Sequence, residues 1–252
     1  MWEDREANFE RISNLLASAE IPAQSLVVLP EMFATGFSMN VGKVAEAAPS
    51  QAEAFLQGLA KQYDGLFIGG VVREAEGGDE GGRKGCNQSV AVDPTGQCLA
   101  RYQKIRTFRN ASTNEFAFYQ RGTEVVTFDW GGFKICPLIC YDLRFPELFR
   151  RGAAQGAQLF VVIASWPVAR VDHWLTLLRA RAIENQAYVV GVNRCGEDPN
   201  WDYPGASVVI DPHGKVLVNA REGEAVVSAE VSIEVVDEWR ETFPALVDLE
   251  VE

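Results

Sequence analysis

Five short apolar runs set the constraint on the fold: SLVVLP at 25–30, GLFIGGVV at 65–72, FKICPLI at 133–139, QLFVVIA at 158–164 and AYVVGVN at 187–193. Such short runs without alternation fit strands buried on both faces, which need helices packed over the sheet. Between them lie stretches of helical period. In EANFERISNLLASAE, residues Phe9, Ile12, Leu15, Leu16 and Ala19 fall on one side of a 3.6-residue repeat, and Ile21-Pro22 ends it. Further helices are expected at 51–62, 145–155, 172–185 and from Ser232, with strands at 124–129 and in AVVSAEV at 225–231. Two hairpins are expected: CNQSVAVDPTGQCLARYQK turning at 93–96, and GASVVIDPHGKVLVNA turning at 211–214. The Gly-rich, charged stretch at 74–85 reads as a surface loop. With no repeat or linker, the pattern predicts one α/β domain over residues 1–252, its mixed sheets covered by helices.

Composition narrows the function of such a domain. At 47% hydrophobic and 23% charged residues, the chain can bury a sizeable core. A formal net charge of −12 opposes phosphate backbones and anionic lipid headgroups, so neither nucleic acid nor membrane is an expected partner. No apolar run reaches the roughly 20 residues of a membrane helix, and MWEDREANFE lacks the basic-then-apolar order of a signal peptide. The expected location is the cytoplasm. Cysteines at 86, 98, 136, 140 and 195 form no disulfide framework and no C-x-x-C pair, so most are expected to be reduced and structural, with Cys136 in the core. His173 and His213 belong to no metal-ligand cluster, so no metal or cofactor is expected. A nucleophilic cysteine would therefore need a base other than histidine.

Reactive side chains in α/β folds gather where strands end, because the carboxyl edge of a sheet opens onto a crevice. Three residues suit that location. Glu31 follows SLVVLP, Lys104 follows the strand-like CLARYQ, and Cys140 ends FKICPLI just before the chain turns polar. Singly, such a Glu is commonly a solvated loop residue, such a Lys a surface charge and such a Cys part of the core. Together they supply a carboxylate base, a cation and a thiol, the parts needed to attack an unactivated amide.

LPEMFATGF, RYQKIRTF and ICYDLRFPE resemble the three signature motifs of the nitrilase superfamily, the carbon-nitrogen hydrolases with a Glu-Lys-Cys triad. SWPVARVDHWLTLLRARAIENQAYVVGVNRCG and DPHGKVLVNAREGEAVVSAEV resemble that family's second half, so the likeness covers nearly the whole chain. LPEMFATGF, CYDLRFPELFR and ARAIENQAYV resemble its omega-amidase branch. The resemblance implies a four-layer α-β-β-α sandwich, two mixed sheets flanked by helices. It implies hydrolysis of small 2-oxoacid amides, such as 2-oxoglutaramate and 2-oxosuccinamate, through a cysteine thioester.

Carried over residue by residue, the resemblance makes Glu31 the general base, Lys104 the cation and Cys140 the nucleophile. Glu115, seven residues before Gly122, becomes the supporting second glutamate, and the backbone N–H of Tyr141 an oxyanion donor. Arg144 matches an arginine with which some relatives grip a substrate carboxylate, a task suited to guanidinium; the alternative is an ion pair with Asp142 or Glu147 that fixes the turn. Phe33, Tyr141 and Trp166 are candidate pocket walls, with core or interface packing as the commoner role. A homodimer or higher homo-oligomer is also implied, with VDHWLTLLRARAIEN as its candidate surface and His173 and Trp174 as interface or core residues.

The chain also departs from its relatives. They place a β-strand before the segment matching WEDREANFE, and here only Met1 precedes Trp2; a start assigned downstream of the true one is the favoured expectation, the alternatives being a shortened chain or another segment that fills the gap. Arg106 stands where many relatives carry His, and Ser165 where omega-amidases usually have Asn; both are expected to border the pocket. Two rival readings remain: a nitrilase or N-carbamoyl amino-acid amidohydrolase with the same triad, and an inactive, truncated member acting as a binding protein. The intact Glu31, Lys104 and Cys140 argue against the second.

Overall fold

The computed structural model describes residues 1–75, 84–111 and 113–250. The loop expected at 74–85 falls largely outside them. The chain divides into two compact units, Met1–Glu124 with Glu197–Asn200, and Val125–Gly196 with Trp201–Glu252.

The first unit begins with α1, Arg5–Ala17. Asp4 caps it, accepting from the Ala7 amide at 3.1 Å, which satisfies one of the amides a helix start leaves unpaired. Leu16 is buried in the core cluster, and Phe9 and Ile12 pack against it, as the 3.6-residue spacing requires. Strand β1, Leu26–Val28, is followed by α2, Val41–Val44, and α3, Gln51–Tyr63. The sheet is completed by β2, Leu66–Glu74, β3, Gly85–Val92, β4, Cys98–Gln103, and β5, Tyr119–Gln120. β1 is parallel to β2, β3 is antiparallel to β2 and β4, and β5 is parallel to β3. The β3–β4 turn stands where expected, with Asp93 Oδ1 accepting from the amides of Thr95 and Gln97, each at 2.9 Å. Leu56, Leu59 and Ala60 of α3 join Phe67, Val71 and Val90 of the sheet in the core.

A six-stranded mixed sheet organises the second unit, in the order β13-β12-β9-β8-β7-β6. Its strands are β6, Phe128–Trp130, β7, Phe133–Ile139, β8, Leu159–Ala164, and β9, Tyr188–Asn193. β10, Cys195–Glu197, and β11, Asp202–Pro204, pair as a separate ribbon. The hairpin of β12, Val208–Ile210, and β13, Val216–Asn219, completes the main sheet. β7, β8 and β9 are parallel, and helices α4, Pro146–Ala154, and α5, Val171–Asn185, connect them. Parallel strands need such crossovers and are covered by them, which explains their unbroken apolar runs. Phe149 of α4 packs on Phe160 of β8 with ring centroids 5.2 Å apart. Trp174 and Leu178 of α5 lie over Gly191 of β9, where a Cβ would stand 2.4 Å from Leu178 Cδ1. A last helix, α6, Ile233–Thr242, starts after Ser232 and buries Val236.

Each unit thus carries a mixed sheet and helices, the expected fold class. Two stretches differ from expectation. The strand placed at 124–129 is confined to Phe128–Trp130, and AVVSAEV at 225–231 forms no ladder. In the latter, Val227, Ala229 and Val231 are half-buried while Val226, Ser228 and Glu230 are exposed. Alternation reports which side faces the protein, whereas a strand also needs a neighbouring backbone to bond.

Gly70 of β2 lies against the segment that carries Glu31. A Cβ at Gly70 would stand 2.5 Å from Met32 N and 2.6 Å from Glu31 Cα, so only glycine admits this approach. Gly70→Ala is expected to destabilise the protein by about 1–3 kcal/mol, read as a lower urea midpoint. An unchanged midpoint would show that the segment moves aside without cost.

Candidate active site

In the first unit, three loops deliver charged side chains to one buried spot. The segment after β1 is strapped to β2 by Gly70 N donating to Pro30 O at 3.1 Å and Phe33 N donating to Gly70 O at 3.2 Å. Lys104, just past β4, is held by its amide donating to Asn87 O at 2.9 Å and by Gly122 N donating to its carbonyl at 2.8 Å. A Cβ on Gly122 would stand 2.1 Å from Gln103 O, so the glycine seven residues after Glu115 is a packing requirement. Glu115 itself opens a single 3-10 turn, Glu115–Ala117.

The side chains converge there. Lys104 Nζ donates to Glu31 Oε1 at 2.8 Å and to Glu115 Oε1 and Oε2 at 3.1 and 3.0 Å. All three residues are at most 1% exposed. Asn87 of β3 donates through Nδ2 to Glu31 Oε1 at 2.8 Å and Glu115 Oε1 at 3.1 Å. The Phe108 amide donates to Glu115 Oε2, and the Phe37 ring centroid lies 5.2 Å from Lys104 Nζ. Burial pushes the Glu115 carboxyl above its ordinary range; the Lys104 ammonium opposes this rise and the charge of Glu31 adds to it. With one ammonium facing two carboxylates, the ionised cluster has negative charge to spare and can accept a proton.

In the second unit, Cys140 stands at the end of β7 and opens the 3-10 turn Cys140–Arg144. Its φ is +47°, in the left-handed region that costs a residue with a Cβ about 1 kcal/mol or more. The turn is held by Asp142, which is fully buried and accepts from the Ile139 amide at 3.0 Å through Oδ2. Cys140 Sγ lies 3.9 Å from the Ser165 carbonyl oxygen. Tyr141, half-buried, packs edge-on to Phe145 at 5.3 Å.

Arg144 extends from the same turn and stacks over Trp166, its Cζ 4.7 Å from the ring centroid. Its Nη2 donates to His173 Nδ1 at 3.3 Å. Burial and then the charge of Arg170 lower the Arg144 pKa. Trp166 is locked in place: its amide donates to Asn193 Oδ1 at 2.7 Å and its Nε1 to Arg170 O at 2.7 Å. Asn193 Nδ2 in turn donates to the carbonyls of Trp166 and Gly205. Cys136, four residues before Cys140, is completely buried, and burial pushes its thiol far up.

The expected residues thus assemble as Glu31, Lys104 and Glu115 in one unit, and Cys140, Tyr141, Arg144, Ser165 and Trp166 in the other. Phe33 lies in the first unit's core, its ring 6.2 Å from Phe9 and 6.1 Å from Phe55, the packing alternative weighed for it. Trp174 is core, donating through Nε1 to Ala206 O at 2.9 Å, whereas His173 is exposed and touches Arg144. Arg106 is half-buried. Sequence reasoning missed Asn87, Phe37 and Asn193. An asparagine inside the strand CNQSVAV was a usable signal, since a buried amide must find partners; Phe37 carried none, because aromatic residues are commonly core.

The sequence profile of the carbon-nitrogen hydrolases matches residues 1–241. The chain belongs to this family. It is 41% identical to the omega-amidase YafV of Yersinia enterocolitica over 98% of this chain and 92% of that one. It is 34% identical to the 2-oxoglutaramate amidase of Bacillus subtilis strain 168, over 89% and 84% of the two chains. The crystal structure of XC1258 from Xanthomonas campestris, a CN-hydrolase superfamily protein with an arsenic adduct in its active site, matches with a TM-score of 0.90 at 36% identity. That match covers 99% of this chain and 93% of the other.

In this carbon-nitrogen hydrolase, Glu115→Gln would set an amide NH2 against donors that now face a carboxylate. A loss of about 1–3 kcal/mol at neutral pH is expected. Because the folded carboxyl is raised, the folded chain keeps a proton that the unfolded chain has released. The stability this group contributes is therefore complete below the ordinary carboxylate value and lost as pH rises through the raised one. Urea unfolding at a series of pH values should show that decline in the parent and a shallower one in Glu115→Gln. Equal slopes would contradict a raised Glu115.

Proposed function

We propose that this carbon-nitrogen hydrolase is a cytoplasmic omega-amidase that releases ammonia from small 2-oxoacid amides, 2-oxoglutaramate and 2-oxosuccinamate. The observation that carries the chemistry is the solvent-free Glu31–Lys104 pair at 2.8 Å, an acid and a cation that burial alone would not retain. The choice of substrate rests on the likeness to YafV and to the 2-oxoglutaramate amidase.

In this reading the two units serve as one hydrolase domain, with base and cation from the first and nucleophile from the second. Glu31 takes the Cys140 proton, and the thiolate attacks the amide carbon. The tetrahedral oxyanion is stabilised by the Lys104 ammonium and the Tyr141 backbone N–H. As the carbon–nitrogen bond breaks, Glu31 returns the proton to the departing ammonia and a thioester remains. Water then attacks the thioester with Glu31 again as base, freeing the acid and the thiol, while Glu115 holds Lys104 in place. Arg144 grips the substrate carboxylate and Trp166 walls the site. The enzyme works as a homodimer or higher homo-oligomer with α5 as a contact surface.

Ammonia release from 2-oxoglutaramate, 2-oxosuccinamate, glutamine, N-carbamoyl-β-alanine and a simple nitrile tests the proposal. The 2-oxoacid amides are expected to lead. Cys140→Ala should abolish turnover, and Lys104→Met should lose about 10²–10³-fold while keeping the parent's circular dichroism. Undiminished turnover by Cys140→Ala would overturn the mechanism, and a preference for the carbamoyl compound or the nitrile would overturn the branch.

A further inference from the structure

Arginine is a flexible side chain, with about 2 kcal/mol of rotamer entropy to lose when it is ordered. Arg144 is restrained by two contacts. The ring of Trp166, 4.7 Å from Cζ, confines the guanidinium on one side but leaves its rotation free. The edge bond from Nη2 to His173 Nδ1, at 3.3 Å, removes this freedom. Its remaining N–H groups have no partner among the described residues. Trp166 is itself fixed through Asn193 and Arg170 O, so the platform under the guanidinium is rigid.

The chemical nature of the partner matters. A carboxylate at position 173 would orient Arg144 equally well, but it would also neutralise the guanidinium and compete with any bound anion. A neutral imidazole orients it without consuming its charge, and accepting at Nδ1 places the ring proton on Nε2. Arg144 is half-buried with Arg170 nearby, a setting that favours an anionic guest. His173 itself lies exposed in the first turn of α5, where core packing gives no reason for an imidazole.

We propose that His173 is a positioning residue that aligns the Arg144 guanidinium with the carboxylate of an amide substrate, making the enzyme selective for amides that carry a carboxylate. This rests on the reading of Arg144 as the carboxylate grip. It gives His173 a role in substrate selection that acts wholly through Arg144.

The test compares the carboxylated amide that leads the ammonia-release panel with pentanamide, a neutral linear amide, using KM, or an inhibition constant where a compound is not turned over. His173→Leu should raise the value for the carboxylated amide about 5–10-fold, the loss of roughly one charge-assisted hydrogen bond. Its kcat should stay within about twofold and its value for pentanamide should not move. His173→Asn, which keeps an acceptor near the Nδ1 position, should restore most of the loss. Arg144→Gln, run in parallel, separates the two ideas. No change in Arg144→Gln for the carboxylated amide would remove the grip and the positioning role with it. A rise in Arg144→Gln without one in His173→Leu, an equal rise for pentanamide, or no recovery in His173→Asn would overturn the positioning role while leaving the grip intact.

Discussion

An ammonium group with no access to water, bound by two carboxylates that also have none, is the interaction around which the first unit is arranged. Removing each charge from water costs several kcal/mol even after relaxation, and attraction offsets this only if the remaining donors and acceptors are well satisfied. The surroundings of Lys104 meet much of that condition, although Asn87 Oδ1 is buried without a hydrogen-bond partner among the described residues. Asn87 bridges both carboxylates, the Phe108 amide binds Glu115, and the Phe37 ring faces the ammonium. Gly70 and Gly122 remove the side chains that would hold the Glu31 and Lys104 segments away from their neighbours. Such a cluster is a poor source of stability, and its two carboxylates outnumber its one ammonium.

The second unit prepares its reactive group by other means. Cys140 is set by backbone geometry, between a strand on one side and a 3-10 turn on the other. Asp142 ties the turn back to the strand's last amide, which holds a left-handed φ that a cysteine would not otherwise keep. Cys136, on the same strand, is completely buried, and Cys140 is 8% exposed. A Cβ on Gly152 would come within 2.9 Å of the Cys136 sulfur, a measure of how tightly α4 closes over it. Burial, and then the charge of Asp142, push that thiol's pKa up. The turn that carries Cys140 also carries Arg144, so thiol and guanidinium share one support.

Much of this was legible in the linear pattern because it depends on local chemistry. Apolar runs without alternation specified the buried strands β2, β7, β8 and β9, and Asp-Pro-x-Gly placed the two hairpin turns. Glu31, Lys104 and Cys140 could be named because each is a reactive residue type directly after a strand-like run. Where the pattern misled, it lacked a partner to consult. The alternation in AVVSAEV reported a half-buried side without revealing that no strand lay alongside.

By itself, then, the amino-acid order determined most of the elements and the fold class, and it singled out candidate reactive groups, since periodicity, turn chemistry and residue type are properties of short segments. Tertiary structure alone decided that Asn87 spans two carboxylates, that Gly70 and Gly122 are demanded by close backbone approach, and that His173 meets Arg144. Those are contacts between residues distant along the chain, and distance in sequence carries no information about which side chains packing will bring within hydrogen-bonding reach.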